Sequence, residues 1–313
     1  MKKRIAAGFL YGVMGLSAMG ASGYFEAGTE IEDFTSSYEE KDFVLPYIKG
    51  KLSPYNNSPF FIEAKYSYRL HEDDKEHEGD RRKRTELYLG YAWEMGRFKF
   101  TPKAGIRYEN YASSETGDSA REATYDEIIQ YRIYPNMSYT INDSVEWFFE
   151  GFLAPTTSKL NDTKTRGGDG VEGKEYGSDY RHELDSGLKF KLPNGQKLSL
   201  SLYSEYKREV YASSTEEYQF RIVYDHKLKN GKTTLTPFAR IGLEREQRYK
   251  DGSDLEKDRL RHRFGLKTSH KVSEDFTLLG EVYYQTGRVE DSSGNRESDE
   301  NKMFYKVGFR QAF

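Results

Sequence analysis

The feature that most constrains this chain is a period of two. In its closing stretch, NKMFYKVGFRQAF, Met303, Tyr305, Val307, Phe309 and Phe313 fall on one parity. Phe304, Lys306, Gly308, Arg310 and Ala312 fall on the other. Successive side chains of a strand point to opposite faces, so such a segment has one greasy face and one cationic or small face. The pattern recurs in FKFTPKAGIRYEN, where Phe98, Phe100, Ala104, Ile106 and Tyr108 alternate with Lys99, Thr101, Lys103, Arg107 and Glu109. RHELDSGLKFKL and YQFRIVYDHKL repeat it. A period of two rather than 3.6 predicts an all-β chain.

The connections alternate too, in length. Tight turns are predicted at Met95-Gly96-Arg97, Asn142-Asp143, Pro193-Asn194-Gly195, Asn230-Gly231 and Ser273-Glu274-Asp275. The Asn-Gly pair at 230–231 reads as a type I′ turn, in which both central residues have positive φ. Between these turns lie longer charged stretches: HEDDKEHEGDRR, ASSETGDSARE, TKTRGGDGVEGKEYGSD, EQRYKDGSDLEKDR and VEDSSGNRESDEN. Short turns at one end and long loops at the other describe an up-and-down antiparallel meander. About fourteen alternating segments fit the chain, an even number that can close into a barrel. The second, at approximately 42–49, has the least regular parity because it contains Pro46.

Composition narrows the setting. Mean hydropathy is -0.88 and 32% of residues are charged, yet aromatics reach 15%, which argues against disorder. A net charge of -3 offers no basis for a nucleic-acid partner. The absence of cysteine excludes disulfides and a thiol nucleophile. The opening MKKRIAAGFLYGVMGLSAMGASG has a basic start, a short apolar run and small residues, the three-part pattern of a secretory signal. Residues 1–23 are expected to be cleaved, after Gly23 in preference to Gly20, leaving 24–313 as a single barrel domain. The apolar run is too short to span a bilayer as a helix.

A closed barrel satisfies its backbone hydrogen bonds between its own strands, so it tolerates hydrocarbon outside. A soluble barrel would reverse the faces, but with about fourteen strands its interior is too wide for side chains to fill. Water must occupy it. The expectation is therefore a transmembrane barrel of the bacterial outer membrane, with a water-filled lumen. Its apolar parity faces lipid, and Tyr66, Tyr68, Tyr91, Trp93, Tyr108 and Trp147 are candidates for an interfacial girdle.

On the inward parity, basic candidates for the lumen wall are Lys99, Lys103, Arg107, Arg132, Arg181, Lys189, Arg221, Arg240, Arg261, Arg263, Lys267, Lys306 and Arg310. Acidic candidates are Glu26, Glu30, Glu63, Glu86, Glu146, Glu150, Asp185 and Glu281. The balance is net basic. Bases concentrate on the twelfth and fourteenth strands and acids on the first and seventh. Such charges either set up a transverse field or pair across adjacent strands. Inward aromatics (Phe61, Tyr88, Tyr134, Phe148, Phe152, Tyr203 and Tyr283) either stack against passing sugar rings or fill space.

Several stretches resemble the OmpG-type monomeric porins: RTELYLGY with FTPKAGIRYENY, QYRIYPNMSYTINDSVEWFFEGFLA, LTPFARIGLERE, RFGLKTSHKVSEDFTLLGEVYYQ and the closing FYKVGFRQAF. The likeness runs from the first strand to the last. It implies a fourteen-stranded porin acting as a monomer, passing ions and small hydrophilic solutes including oligosaccharides. It also implies gating by the sixth long loop, EQRYKDGSDLEKDR, and acid closure through a histidine pair. The positions matching that pair hold Thr233 and Arg259, so the pair is missing. The closing strand, with Tyr305, Phe309 and Phe313, resembles the C-terminal signature of outer-membrane barrels. That likeness brings in lipid and the barrel-insertion machinery as partners.

Other chemistries leave little trace. No Gly-x-Ser-x-Gly elbow occurs, and His182, His226, His262 and His270 fall on the apolar parity, away from any catalytic base position. Asp73 and Asp74 near His71 and His77 loosely imitate an aspartate–histidine protease rim, and the two histidines match no standard metal spacing. TRGGDG lacks the lysine of a phosphate loop. No enzyme activity, metal or cofactor is expected. The alternatives are a porin more selective for acidic oligosaccharides, or a surface barrel enzyme of the protease or phospholipase kind.

Overall fold

The structure, a computed structural model, describes residues 20–34, 43–71, 81–112, 125–162, 173–208, 213–249, 256–258, 260–290, 295–299 and 301–313. Seventeen extended segments make one antiparallel sheet of fourteen strands, because three pairs of segments continue a single strand. In chain order these are β1 (Ser22–Phe34), β2 (Phe43–Ser53), β3 (Phe60–His71), β4 (Arg81–Tyr91, continuing as Trp93–Met95) and β5 (Phe98–Ala112). There follow β6 (Tyr125–Asn142), β7 (Val145–Asp162), β8 (Gly173–Lys191), β9 (Lys197–Arg208) and β10 (Ser213–Lys227). The last four are β11 (Thr233–Tyr249), β12 (Glu256–Asp258 and Arg261–Lys271), β13 (Phe276–Glu290) and β14 (Arg296–Asp299 and Lys302–Ala312).

Each strand pairs with its neighbours in sequence, and β14 returns to β1 in continuous register from Tyr24↔Ala312 to Phe34↔Lys302. Gly23 and Phe313 exchange backbone hydrogen bonds at 3.0 and 3.1 Å just beyond that register. The sheet thus has no open edge, and its backbone needs no water. β2 is longer than its irregular sequence suggests. It accommodates Pro46 where the register with β3 skips from Val44↔Leu70 to Tyr47↔Ser67, so the missing N–H breaks no rung there.

Burial is inverted relative to a soluble protein. Glu26, Glu109 and Glu217 are each 1% exposed, whereas Leu202 and Val307 are 61% and 64% exposed. Leu87, Leu89, Ile106, Ile133, Phe264 and Leu278 extend the same exposed apolar surface, with Tyr66, Tyr91, Trp93, Tyr131, Tyr139 and Tyr305 among its aromatics. A continuous greasy belt of this size is not stable against water. Closure, antiparallel order and the apolar outside make this a β-barrel of the bacterial outer membrane. Among the described residues no helix is long and apolar enough to cross a membrane; the strands do so.

Turn geometry separates two Asn-Gly pairs that look alike. Asn194 (φ 61°) and Gly195 (φ 74°) both take positive φ. At Asn230-Gly231 only Gly231 does, with φ 66°. There the Asn230 side-chain oxygen accepts from the amides of Lys232 and Thr233, both at 3.0 Å. The expected type I′ turn is replaced by a turn built on the asparagine side chain.

Candidate functional site

Side chains on the inside of a closed barrel converge and those outside diverge, so contacts that skip a strand identify the concave face. Lys103 on β5 donates to Glu63 on β3 at 2.5 Å. Arg221 on β10 donates to Asp185 on β8 at 3.0 Å, and Arg261 on β12 to Glu217 on β10. The hydroxyls of Tyr88 (β4) and Tyr134 (β6) meet at 3.4 Å, and Lys306 (β14) lies 4.5 Å from the ring centre of Tyr47 (β2). All these residues carry the polar parity. On the apolar parity, ring pairs such as Trp93–Phe100, Phe276–Phe309 and His182–Tyr206 join adjacent strands only. The charged face is the concave one.

The bridges pass over small residues. A Cβ built on Gly90 would lie 2.2 Å from the Phe61 ring, and one on Gly105 within 2.7 Å of Tyr88. One on Gly265 would sit 2.5 Å from Tyr283 and 2.6 Å from Phe238. Glycine thus provides the recess into which the neighbouring strand's ring folds flat.

Charges on this face neutralise one another in sectors. At the closing seam, Arg310 donates to Glu26 through Nη2 (2.8 Å) and Nε (3.1 Å), Lys306 to Glu30 (3.2 Å) and Lys302 to Glu32 (2.7 Å). Lys49 and the Tyr47 hydroxyl also reach Glu26, at 3.1 and 3.0 Å. The acidic first strand and the basic fourteenth therefore cancel locally, so this sector supplies no transverse field. On β4 and β5, Glu109 takes Arg84 at 2.9 Å together with Arg82 and Arg107. Glu86 sits opposite Arg107 and accepts from the Tyr88 hydroxyl at 2.8 Å. Arg132 donates to Gln130 at 2.7 Å and Tyr134 at 3.1 Å. Lys189 lies opposite Glu146 but donates to Glu150, at 2.9 Å. Lys99 pairs with the exposed Glu94 at 2.9 Å, and Lys267 lies opposite Glu281.

The sector from β8 to β12 is different. It encloses a polar cavity of about 540 Å³ whose lining includes seven cationic side chains and three carboxylates. Those carboxylates are taken: Arg181 holds Glu183 (2.5 Å) and Glu205 (2.8 Å), while Arg245 and Arg261 hold Glu217. Arg221, Arg240 and Arg263 stand directly opposite one another on β10, β11 and β12. Arg221 has Asp185, and Arg263 donates to Gln285 at 2.8 Å. Arg240 lies over Phe238 at 5.7 Å and forms no ion pair with a carboxylate among the described residues.

Glu109, Glu183, Glu205 and Glu217 are not among the acidic lumen candidates, although all four carry the polar parity and each has an arginine neighbour as its signal. Arg245 left no such signal. It is brought to Glu217 by a β-bulge, where the register jumps from Tyr218↔Glu244 to Gln219↔Gly242 and leaves Leu243 unpaired.

The inward rings are covered by cations. Arg221 lies 3.4 Å from the Tyr203 ring centre, Lys51 3.8 Å from Phe61, Arg132 3.9 Å from Phe152 and Lys189 4.2 Å from Phe148. Lys103 lies 4.5 Å from Tyr134 and 5.0 Å from Tyr88, and Arg263 lies 4.8 Å from Tyr283. These rings anchor the charge layer rather than stand open for stacking. His262 accepts from the Gly242 amide at 3.2 Å and His270 meets the Thr233 hydroxyl at 2.9 Å, both on the apolar parity. Among the described residues no group of three or more His, Asp or Glu side chains converges as a metal site would. Asp73, Asp74, His77, TRGGDG, Arg259 and 250–255 of the sixth loop lie outside the described residues, as does the His71 side chain.

No protein-family model matches the chain, and no curated protein matches it. Among solved structures it is similar to the TodX monoaromatic hydrocarbon channel in a deltaS2 mutant, with TM-score 0.56 and 9% identity over 94% of this chain and 90% of that one. The CymD monoaromatic hydrocarbon channel gives 0.53 and 7% over 95% and 90%. The Pseudomonas putida toluene transporter TodX gives 0.51 and 9% over 93% and 89%. At this identity the likeness is one of architecture: a fourteen-stranded barrel of the outer membrane.

Proposed function

We propose that the protein is an outer-membrane channel through which ions and small hydrophilic solutes, sugars among them, diffuse passively. One observation carries this reading: the concave face is lined by charged and hydrogen-bonding side chains, and its β8–β12 sector borders a polar cavity of about 540 Å³. A wall of this kind keeps a water column wet and gives a polar solute partners to exchange. TodX and CymD are named as hydrocarbon channels. The ionic wall here suits hydrophilic cargo instead. The OmpG-type resemblance supports a monomer, and the barrel closes within one chain. No catalytic role is assigned to the wall.

Planar-bilayer recording of the refolded protein tests this. Single, uniform conductance steps are expected. A bilayer that stays at its lipid baseline would overturn the channel reading, and three-step closures would overturn the monomer. Liposome swelling with sugars of increasing size should show a size-dependent rate.

A further inference from the structure

We infer that Arg221, Arg240 and Arg263 form a subsite for an oxyanion, a carboxylate or phosphate carried by a small hydrophilic solute. The inference deepens the channel reading and rests on it for the identity of the ligand as cargo. Its basis is register. The three guanidinium-bearing residues occupy directly opposed positions on three adjacent strands, all on the concave face and all lining the polar cavity. Like charges directly opposite across a sheet destabilise it. Elsewhere on this wall the chain avoids that cost by placing an acid against each cluster, as Glu26 and Glu109 show.

Here one acid, Asp185, serves the row, and the carboxylates that line the cavity go to cations outside it. Glu183 and Glu205 go to Arg181, Glu217 to Arg245 and Arg261, and Asp185 to Arg221 alone. Arg263 donates to a neutral amide, Gln285, and Arg240 lies over the Phe238 ring. The middle of the row is thus a cation lying over an aromatic, with a cation on either side. A planar guanidinium matches carboxylate and phosphate in bidentate geometry. A ligand that bridges two members of the row would supply the negative charge that the protein withholds.

Two readouts on the refolded barrel test this, with inorganic phosphate and glucuronate as probes and glucose as the neutral control of similar size. In detergent, phosphate and glucuronate should raise the unfolding temperature, and glucose should not. In bilayers held at constant chloride, the same anions should reduce the current in a saturable way. Arg240→Gln should weaken both effects about tenfold, the loss of one charge-assisted contact. Arg240→Lys, which keeps the charge but loses the planar fork, should fall between Arg240→Gln and the wild type, and Lys232→Gln at a turn should change neither. Without ligand, Arg240→Gln should unfold at a higher temperature than the wild type, because the row loses its central repulsion.

Equal responses in the wild type and Arg240→Gln, or a response to glucose matching that to glucuronate, would overturn the inference. If Arg240→Gln does not refold, Arg263→Gln is expected to weaken the response in its place, and an unchanged response there overturns it equally. A wild type that binds phosphate in detergent but carries no current would leave the subsite standing and remove the channel reading.

Discussion

Arg310 and Glu26 face each other across the seam where the last strand meets the first, with Arg310 Nη2 2.8 Å from Glu26 Oε2. The partners are unequal. Glu26 is 1% exposed while the Arg310 side chain is 42% exposed, and Glu26 also receives Lys49 and Tyr47. Arg310→Gln should therefore cost under about 1 kcal/mol, as exposed pairs do. Glu26→Gln, which leaves two cations facing a neutral group, should cost about 1–3 kcal/mol. Urea unfolding of the refolded barrels gives both values, and the reverse order would contradict the role of Glu26 as the hub.

The recess at Gly90 makes a second prediction. A β-branched side chain there must displace the Phe61 ring, 2.2 Å from the position its Cβ would take. Gly90→Val should destabilise the barrel by about 1–3 kcal/mol, the range for overpacking. Phe61→Ala in the same chain should recover part of that loss. Additive costs for the two changes would show that the ring and the glycine do not act as a unit.

Leu243 is the extra residue of the bulge and is 56% exposed. Its deletion would join Gly242 to Glu244 and restore a regular ladder against β10, with Arg245 still facing Glu217. The shortened chain should fold and show the same heat-modifiable gel mobility. Failure to refold would mean that the bulge, rather than the register around it, holds Arg245 in place.

Of two candidate cleavage positions, the seam favours the earlier. Gly23 exchanges backbone hydrogen bonds with Phe313, and Ala21 is buried. Cutting after Gly23 would remove one side of that exchange. The mature chain should begin at Ala21, and intact-mass spectrometry of protein purified from membranes decides. A chain beginning at Tyr24 would show that the exchange with Phe313 is dispensable.

The described histidine side chains lie on the apolar parity, where His270 meets the Thr233 hydroxyl. Among the described residues no histidine side chain lies on the concave face, so open probability should be the same at pH 8 and pH 6. A steep closure over that interval would place a titrating group in the passage.

Much of this was legible from residues such as Lys306, Gly308 and Arg310, whose parity fixes the face they share. Strand number followed from the alternation of short and long connections. What the sequence hid were departures from strict alternation. Pro46 lies inside a strand because its missing donor falls where the ladder already skips, and Leu243 reverses the parity of everything after it on β11. Pairing was hidden as well. Arg221 and Arg240 look like two ordinary basic residues until register sets them opposite, since partner choice depends on contacts nineteen positions and more apart in the chain.

The bridges that pass over a glycine also have a mechanical consequence. Lys103–Glu63 ties the third strand to the fifth, and Arg261–Glu217 ties the tenth to the twelfth. Peeling one hairpin from such a wall must also tear ties anchored in the next. Pulled from one terminus, the barrel should come apart in steps larger than a single hairpin, each yielding two or more at once.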